Sequence, residues 1–508
     1  MRSKKAFFNM TSSLLLQLVS TVCGIILPRL FITGYGSAVN GTISSVTQFL
    51  SFIVLFEAGV GGVVRAALYK PLSDNDNAKI SSVIKAADIF FRKIALIFVA
   101  YTIVVAVVFP LIIDRSFDFY YTFTLVLIIA FSTFTQYYFG LSCQIILNAD
   151  QRRYIYSLLQ VFTVTLNTVV VVILIKSGAS IHIVKLATAL IYTIRPLVLR
   201  LYVKLHYHTD PHAIPDKSAL DKKWDGFGHH TAFFLHSNTD VAVLTVAASL
   251  TNRLTIADIS VYTVYYTIVA GMKNLVSAVS SGIEAAFGNM IAKGETEALK
   301  KNFRLYEFIS FALSTVTFTC VGILLVPFIR IYTSGVTDAS YNQPLFAVII
   351  TLAEAVYCIR IPYNNVTLAA GHYHETRNGA FIEAGINIAL SFILVFPLGL
   401  CGVAVATLVA MLFRTVQYAV YLSSNILHTN ISVFIKRCIV STVCAALSIL
   451  AVKLIPFTFV KQDYFTWFVY ALITFCITTV ITAIINLIFY RRDFLGFISI
   501  LKNIFERK

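Results

Sequence analysis

The chain has 508 residues, of which 58% are apolar and only 13% are charged, about half the charged share of a soluble domain. With a mean hydropathy of +0.81, these figures exclude a soluble globular enzyme, a disordered chain and a disulfide scaffold. They leave a polytopic membrane protein whose formal charge of +16 is to be tested as span-orienting charge before any other use.

Apolar runs predict fourteen transmembrane helices, near 11–31, 41–63, 92–113, 119–146, 155–175, 180–201, 231–250, 257–282, 305–328, 343–367, 378–396, 400–423, 437–456 and 465–489. Arg2, Lys4 and Lys5 precede the first. Its apolar stretch runs on to Phe31 with no small-residue cleavage site, so it reads as a retained helix and not a signal peptide. Arg29 follows Pro28 near its outer end. The second carries Glu57 in its cytoplasmic half, within Phe56-Glu57-Ala58-Gly59-Val60-Gly61-Gly62. Lys185 and Arg195 lie in the sixth.

The longest loop, 202–230, separates two sets of six spans. Asp240 lies in the seventh span, with His236 one turn earlier on the same face. Lys273 is ~22 Å into the eighth, which ends in Gly282-Ile283-Glu284-Ala285-Ala286, a weak echo of the second. The tenth holds Glu354 and Arg360, the latter two residues before Pro362, which is expected to bend the helix and free a carbonyl. Glu383 shares a face of the eleventh with Asn387, and Arg414 is ~21 Å into the twelfth. Beyond the final pair, Phe494, Phe497, Ile498, Leu501 and Phe505 form one helical stripe with Arg492, Lys502 and Arg507 off it, the pattern of an interfacial helix on the cytoplasmic leaflet.

The predicted class is therefore all-α. A six-helix lobe spans 1–201 and a cytoplasmic linker 202–230. A second six-helix lobe spans 231–423, an extra helix pair 437–489 and an interfacial helix 490–508. Because each lobe has an even number of spans, the repeat is expected to be parallel, about an axis along the membrane normal. With a cytoplasmic N-terminus, 28 of the 40 cations fall in cytoplasmic segments, 6 in external ones and 6 within spans. The bias alternates at every crossing and puts both termini in the cytoplasm.

No P-loop, HExxH or paired CxxC is present, and Gly34, Gly36 and Gly41 do not make a dinucleotide fingerprint. The histidines at 206, 208, 212, 229, 230, 372 and 374 are irregularly spaced in polar loops, and the eight cysteines read as small core residues, so no metal or cofactor is expected. The informative residues are charges inside spans, which normally face a cavity or a partner. Arg29, Arg195, Glu284 and Arg414 are near enough to a helix end to snorkel. Asp240, Lys273 and Arg360 are deep and have polar neighbours, which favours a cavity. Glu354 could lock two helices by pairing with a cation.

A set of motifs then stands out: Tyr35-Gly36-Ser37-Ala38-Val39-Asn40-Gly41, Phe56-Glu57-Ala58-Gly59-Val60-Gly61, His236-Ser237-Asn238-Thr239-Asp240-Val241, Arg360-Ile361-Pro362-Tyr363-Asn364-Asn365, Ala369-Ala370-Gly371-His372-Tyr373-His374 and Glu383-Ala384-Gly385-Ile386-Asn387. Together they resemble the bacterial polysaccharide (oligosaccharide) flippase family of the multidrug/oligosaccharidyl-lipid/polysaccharide exporter superfamily, from the first span through the twelfth. The resemblance implies two six-helix lobes about a central cavity, and a lipid-linked oligosaccharide as cargo. On that reading Arg29, Lys273, Arg360 and Arg414 bind the pyrophosphate. Asp240, Glu57 or Glu383 couples transport to a proton or sodium ion. The lipid tail stays in the bilayer, and a polymerase and glycosyltransferases of one surface-polymer pathway are the expected partners, with no nucleic acid. Rival readings are a cation-coupled drug or small-solute antiporter of the same superfamily, a membrane polysaccharide polymerase or lipid-linked glycosyltransferase, which would need a large external segment, and an assembly scaffold, which would need no buried charge.

Overall fold

The computed structural model describes residues 2–57, 59–113, 116–207, 209–210, 212–221, 231, 234–235, 238–251, 253–280, 283–455 and 463–506, and no β-strand occurs among them. Predicted features at His208, 222–230, His236 and Lys461, and at the side chains of Glu284, Leu501 and Phe505, lie outside what is described. The chain divides into two compact units, Met1–Val264 and Tyr265–Lys508.

In the first unit, α1 (Arg2–Tyr35) packs on α8 (Arg153–Lys176), which packs on α9 (Ile181–His206). The second predicted span is not one helix. It is divided into α2 (Ser37–Ser51), α3 (Val54–Glu57) and α4 (Val60–Asp74), and Gly59, with a left-handed φ of 76°, separates α3 from α4 just after Glu57. Asp76 caps α5 (Asn77–Val108) by accepting from the Lys79 amide, and Asp118 caps α6 (Phe119–Thr135) in the same way at Tyr120. α6 runs through a π-helical turn, Gln136–Gly140, into α7 (Leu141–Ala149). Val64, Leu68, Phe91, Phe98 and Ile146 are central to the core that these helices enclose. The described part of the long loop folds back on α5, where Asp216 meets Lys79 at 2.7 Å. The Lys79 ammonium holds the Asp216 carboxyl below its ordinary range.

The short helix α10 (Asp240–Leu250) also belongs to the first unit, and α11 (Ile256–Val279) begins there and ends in the second. α2 comes so close to the start of α11 that a Cβ on Gly41 would lie 1.9 Å from the Ile256 carbonyl oxygen, so only glycine fits.

The second unit continues with α12 (Ile283–Ala292), α13 (Thr296–Tyr332), α14 (Pro344–Ala369), α15 (Tyr373–Leu398), α16 (Leu400–Leu422), α17 (Ser432–Lys453), α18 (Tyr464–Phe489) and α19 (Arg491–Glu506). α16 packs on both α14 and α15, and α13 packs on α14, α17, α18 and α19. α14 runs unbroken through Pro362. In α19, Phe494 and Phe497 pack with Leu305 and Ile309 of α13, while Leu495 and Ile498 are exposed.

Twelve helices among the described residues are long and apolar enough to cross a bilayer, six between Phe8 and His206 and six between Thr296 and Phe489. The other two predicted spans correspond to α10, whose preceding residues are only partly described, and to α11, whose 24 residues include Asp258 and Lys273. Many large side chains on the outside are apolar, among them Leu96, Val104, Phe465 and Phe468, as befits a surface solvated by lipid.

Candidate functional site

On α14, Glu354, Tyr357 and Arg360 recur at steps of three and so share one stripe. The Lys273 ammonium of α11 lies 3.1 and 3.0 Å from the two carboxylate oxygens of Glu354. It also sits 5.0 Å from the centre of the Tyr357 ring, and the Arg360 guanidinium lies 4.8 Å from the same ring. Arg360 Nη1 donates to Glu383 Oε1 on α15 at 2.5 Å, and Arg414 Nε of α16 lies 3.6 Å from Glu383 Oε2. One carboxylate therefore answers two guanidiniums.

Arg414 is fixed further by donating to the Thr376 carbonyl at 2.8 Å, to Gln417 Oε1 at 2.5 Å and to the Tyr418 hydroxyl at 2.9 Å. Gly379 makes room for this: a Cβ there would fall 1.8 Å from Gln417 Oε1 and 2.2 Å from Arg414 Nη1. One turn along α15 from Glu383, Asn387 donates to Thr407 at 3.0 Å. Glu354, Arg360, Glu383 and Arg414 are all buried. Three cations meet two carboxylates in this array, leaving one net positive charge in a low-dielectric interior.

Lys273, Arg360, Arg414 and Glu383, singled out from sequence, are thus brought together in the second unit. Arg29, Glu57 and Asp240 belong to the first. Glu57 sits at the helix break and accepts from the Tyr137 hydroxyl at 3.3 Å, which the π-helical turn after α6 presents to it. Asp240 opens α10 and accepts from the Tyr262 hydroxyl at 2.7 Å. Arg29 is half-buried on α1.

A second buried charge cluster escaped the sequence reading. Arg437 of α17 donates to Glu307 of α13 at 2.6 Å and to Asp493 of α19 at 3.1 Å. Arg304 reaches Asp493 at 2.8 Å, and the Tyr363 hydroxyl of α14 donates to the other oxygen of Glu307. In sequence Arg437 opens the predicted thirteenth span and reads as one of the cytoplasmic-side cations. The usable signal was Glu307, which lies four residues from Phe303 and four from Phe311 on an apolar helical stripe.

No protein-family model and no curated protein matches the sequence. Solved structures do. A lipid II flippase, MurJ, in an inward-closed conformation superposes with a TM-score of 0.71 over 95% of this chain and 99% of that one, at 17% identity. The chain has the MurJ/MATE fold. An inward-facing multidrug resistance MATE transporter of the MOP superfamily matches with a TM-score of 0.61 at 13% identity, over 80% of this chain and 95% of its own. The eukaryotic MATE transporter AtDTX14 matches with 0.57 at 13% identity, over 87% and 98%. The all-α, multi-pass membrane architecture and the superfamily resemblance read from sequence are borne out at the level of fold.

Proposed function

We propose that this protein is a transporter that flips an oligosaccharide linked to polyprenyl pyrophosphate across the bacterial cytoplasmic membrane by alternating access, for a surface polymer such as a capsule, O-antigen or teichoic-acid-like chain. The observation that carries this reading is the buried array of Lys273, Arg360 and Arg414 against Glu354 and Glu383. A charge at membrane depth costs ~2.5–3.5 kcal/mol on insertion scales, and five of them in one place point to a task beyond packing. The MurJ likeness supports a lipid-linked cargo, and the excess positive charge suits an anion better than the cationic drug of the rival antiporter reading.

Glu383 gives the array a way to work. Its two carboxylate oxygens occupy the two arginines, one oxygen to each, where a pyrophosphate would offer each guanidinium a pair of oxygens. Neutralising Glu383 with a proton or a sodium ion releases Arg360 and Arg414 to an incoming phosphoryl group, and losing that ion displaces the group again. Glu57 and Asp240, each held by a tyrosine hydroxyl, are the corresponding acids of the first unit.

The test is export. Cells lacking this protein are expected to accumulate the lipid-linked repeat unit on the cytoplasmic leaflet and to lose the surface polymer, and the wild-type gene to restore it. Arg360→Ala, well expressed, is expected to restore none. Full export by that variant would remove the array from the mechanism, and an unaltered polymer in the deletion strain would sink the flippase reading.

A further inference from the structure

In the second unit a slot of about 240 Å³ lies between α11 and α12 on one side and α13 on the other. Val276 of α11, Phe287 of α12 and Leu305, Ile309 and Leu313 of α13 wall it, and Cys358 of α14 forms its inner end. The three α13 residues recur at steps of four and are half-buried along the mouth, while Cys358 is fully buried. Cys358 is one turn of α14 from Glu354, so the slot runs from the outer surface to the back of the charge array. An apolar cavity of roughly 150 Å³ stays dry and takes up a ligand the size of benzene. This slot is larger, and its mouth belongs to the apolar outer surface.

The end of the mouth nearest the turn from α12 to α13 is cationic. Lys301 precedes Leu305 by four residues, and Lys293 follows Met290 of the α12 wall by three. Each wall therefore carries a lysine one turn beyond its apolar lining, and both lysines are exposed. They stand on the side that the cation bias assigns to the cytoplasm, with Asn302 lining the slot beside them. Among the acids near this end, Lys300 engages Glu297 at 3.6 Å and Arg304 engages Asp493 at 2.8 Å, which leaves Glu295 on the turn itself. An apolar slot with a lysine on each wall at the membrane surface complements a molecule that joins a hydrocarbon chain to an anionic head.

We propose that this slot binds an anionic phospholipid of the cytoplasmic leaflet, with one acyl chain inserted toward Cys358 and the phosphate between Lys293 and Lys301. The chain supports α14 from behind, at the stretch that carries Glu354 and Arg360. A slot that ends at a buried residue suits the tip of a straight chain held in place rather than a long chain that must pass through. The inference stands on the slot and its lysines and does not rest on the transport reading.

The full-length protein in zwitterionic nanodiscs is exposed to phosphatidylglycerol bearing a diazirine at the end of one acyl chain, and the photolabelled peptides are identified. Label is expected on α13 between Leu305 and Leu313 and at Cys358. Unlabelled phosphatidylglycerol is expected to compete roughly tenfold or more better than phosphatidylcholine, the worth of two cations near a membrane surface. Lys293→Gln combined with Lys301→Gln is expected to abolish that preference, and Ile309→Trp, which fills the mouth, to abolish the label. Leu96→Trp, on the exposed apolar surface of α5, is expected to label as wild type. Thermal melting establishes that each variant is folded; if Ile309→Trp is not, the double lysine variant decides. Equal competition by the two phospholipids, label spread over the lipid-facing helices, or unchanged label in a folded Ile309→Trp overturns the proposal. Stronger competition by polyprenyl phosphate than by phosphatidylglycerol also overturns it, and assigns the slot to a carrier lipid.

Discussion

Glu383 stands between two arginines, so removing it differs from removing either of them. Glu383→Gln leaves Arg360 and Arg414 buried together with no counter-charge, and breaking a buried pair costs about 3–5 kcal/mol. The purified variant is expected to melt well below the wild type and to be scarce in membranes. Arg360→Ala leaves Glu383 with Arg414 at 3.6 Å, so abundance is expected to hold while export is lost. Equal melting temperatures for the two would show that Glu383 does not bridge. Gly379→Ala is a sharper probe, because its methyl must displace Gln417 and Arg414; an overpacking cost of about 1–3 kcal/mol is expected, with export falling further than abundance. In sequence two acids stand within a helix of Arg360, Glu354 on its own span and Glu383 on the next. Spacing on a helix says which face a residue takes, but the choice between two acids is made by the neighbouring helix, and here Glu354 goes to Lys273. Tyr357, set between the two pairs, looks in sequence like any core aromatic three residues along a stripe.

Among the elements, α19 is tied in more ways than its amphipathic pattern suggests. Its stripe predicted a helix lying on the membrane, and Phe494 and Phe497 of that stripe pack on α13. Asp493, flanked by Arg491 and Arg492, reads as surface charge and is in fact buried against Arg437 and Arg304. Asp493→Ala is expected to free α19, leaving its residues open to added protease while the transmembrane part stays intact. Arg437→Met should be worse, since it leaves Glu307 buried without a cation and Asp493 with Arg304 alone; immunoblotting of membranes is expected to show little protein. If Arg437→Met accumulated normally, the cluster would be a surface feature of no structural weight. The break in the second span was partly legible in Gly59, Gly61 and Gly62. The π-helical turn at Gln136–Gly140 was not, because one extra residue in a turn leaves the apolar pattern nearly unchanged.

For the whole molecule, apolar runs of bilayer length made the class plain from sequence, and the cation bias supplied an orientation. Reporter fusions after Gly178 and Gly335 are expected to lie outside the cell, and those after Gly371 and His428 inside. A cytoplasmic signal at Gly335 would mean that α10 and α11 do not cross as two spans. Those are the two segments where composition is least decisive, since Asp240, Asp258 and Lys273 interrupt the apolar pattern. The pairing of charges across helices was beyond any one-dimensional pattern, since it is set by which helices pack.

The fastening of α19 also sets an order on how the protein is made. Asp493 follows Arg437 by 56 residues, which at ~5–20 residues per second takes several seconds to synthesise. Of its two acids Arg437 can engage only Glu307 throughout that interval, so α13 and α17 join first and α19 closes over them afterwards. A nonsense mutation just after residue 490 would therefore release a chain that has been inserted and largely assembled, but whose final clasp never arrives. Such a product is expected to reach the membrane at the normal rate in pulse labelling and to disappear during the chase.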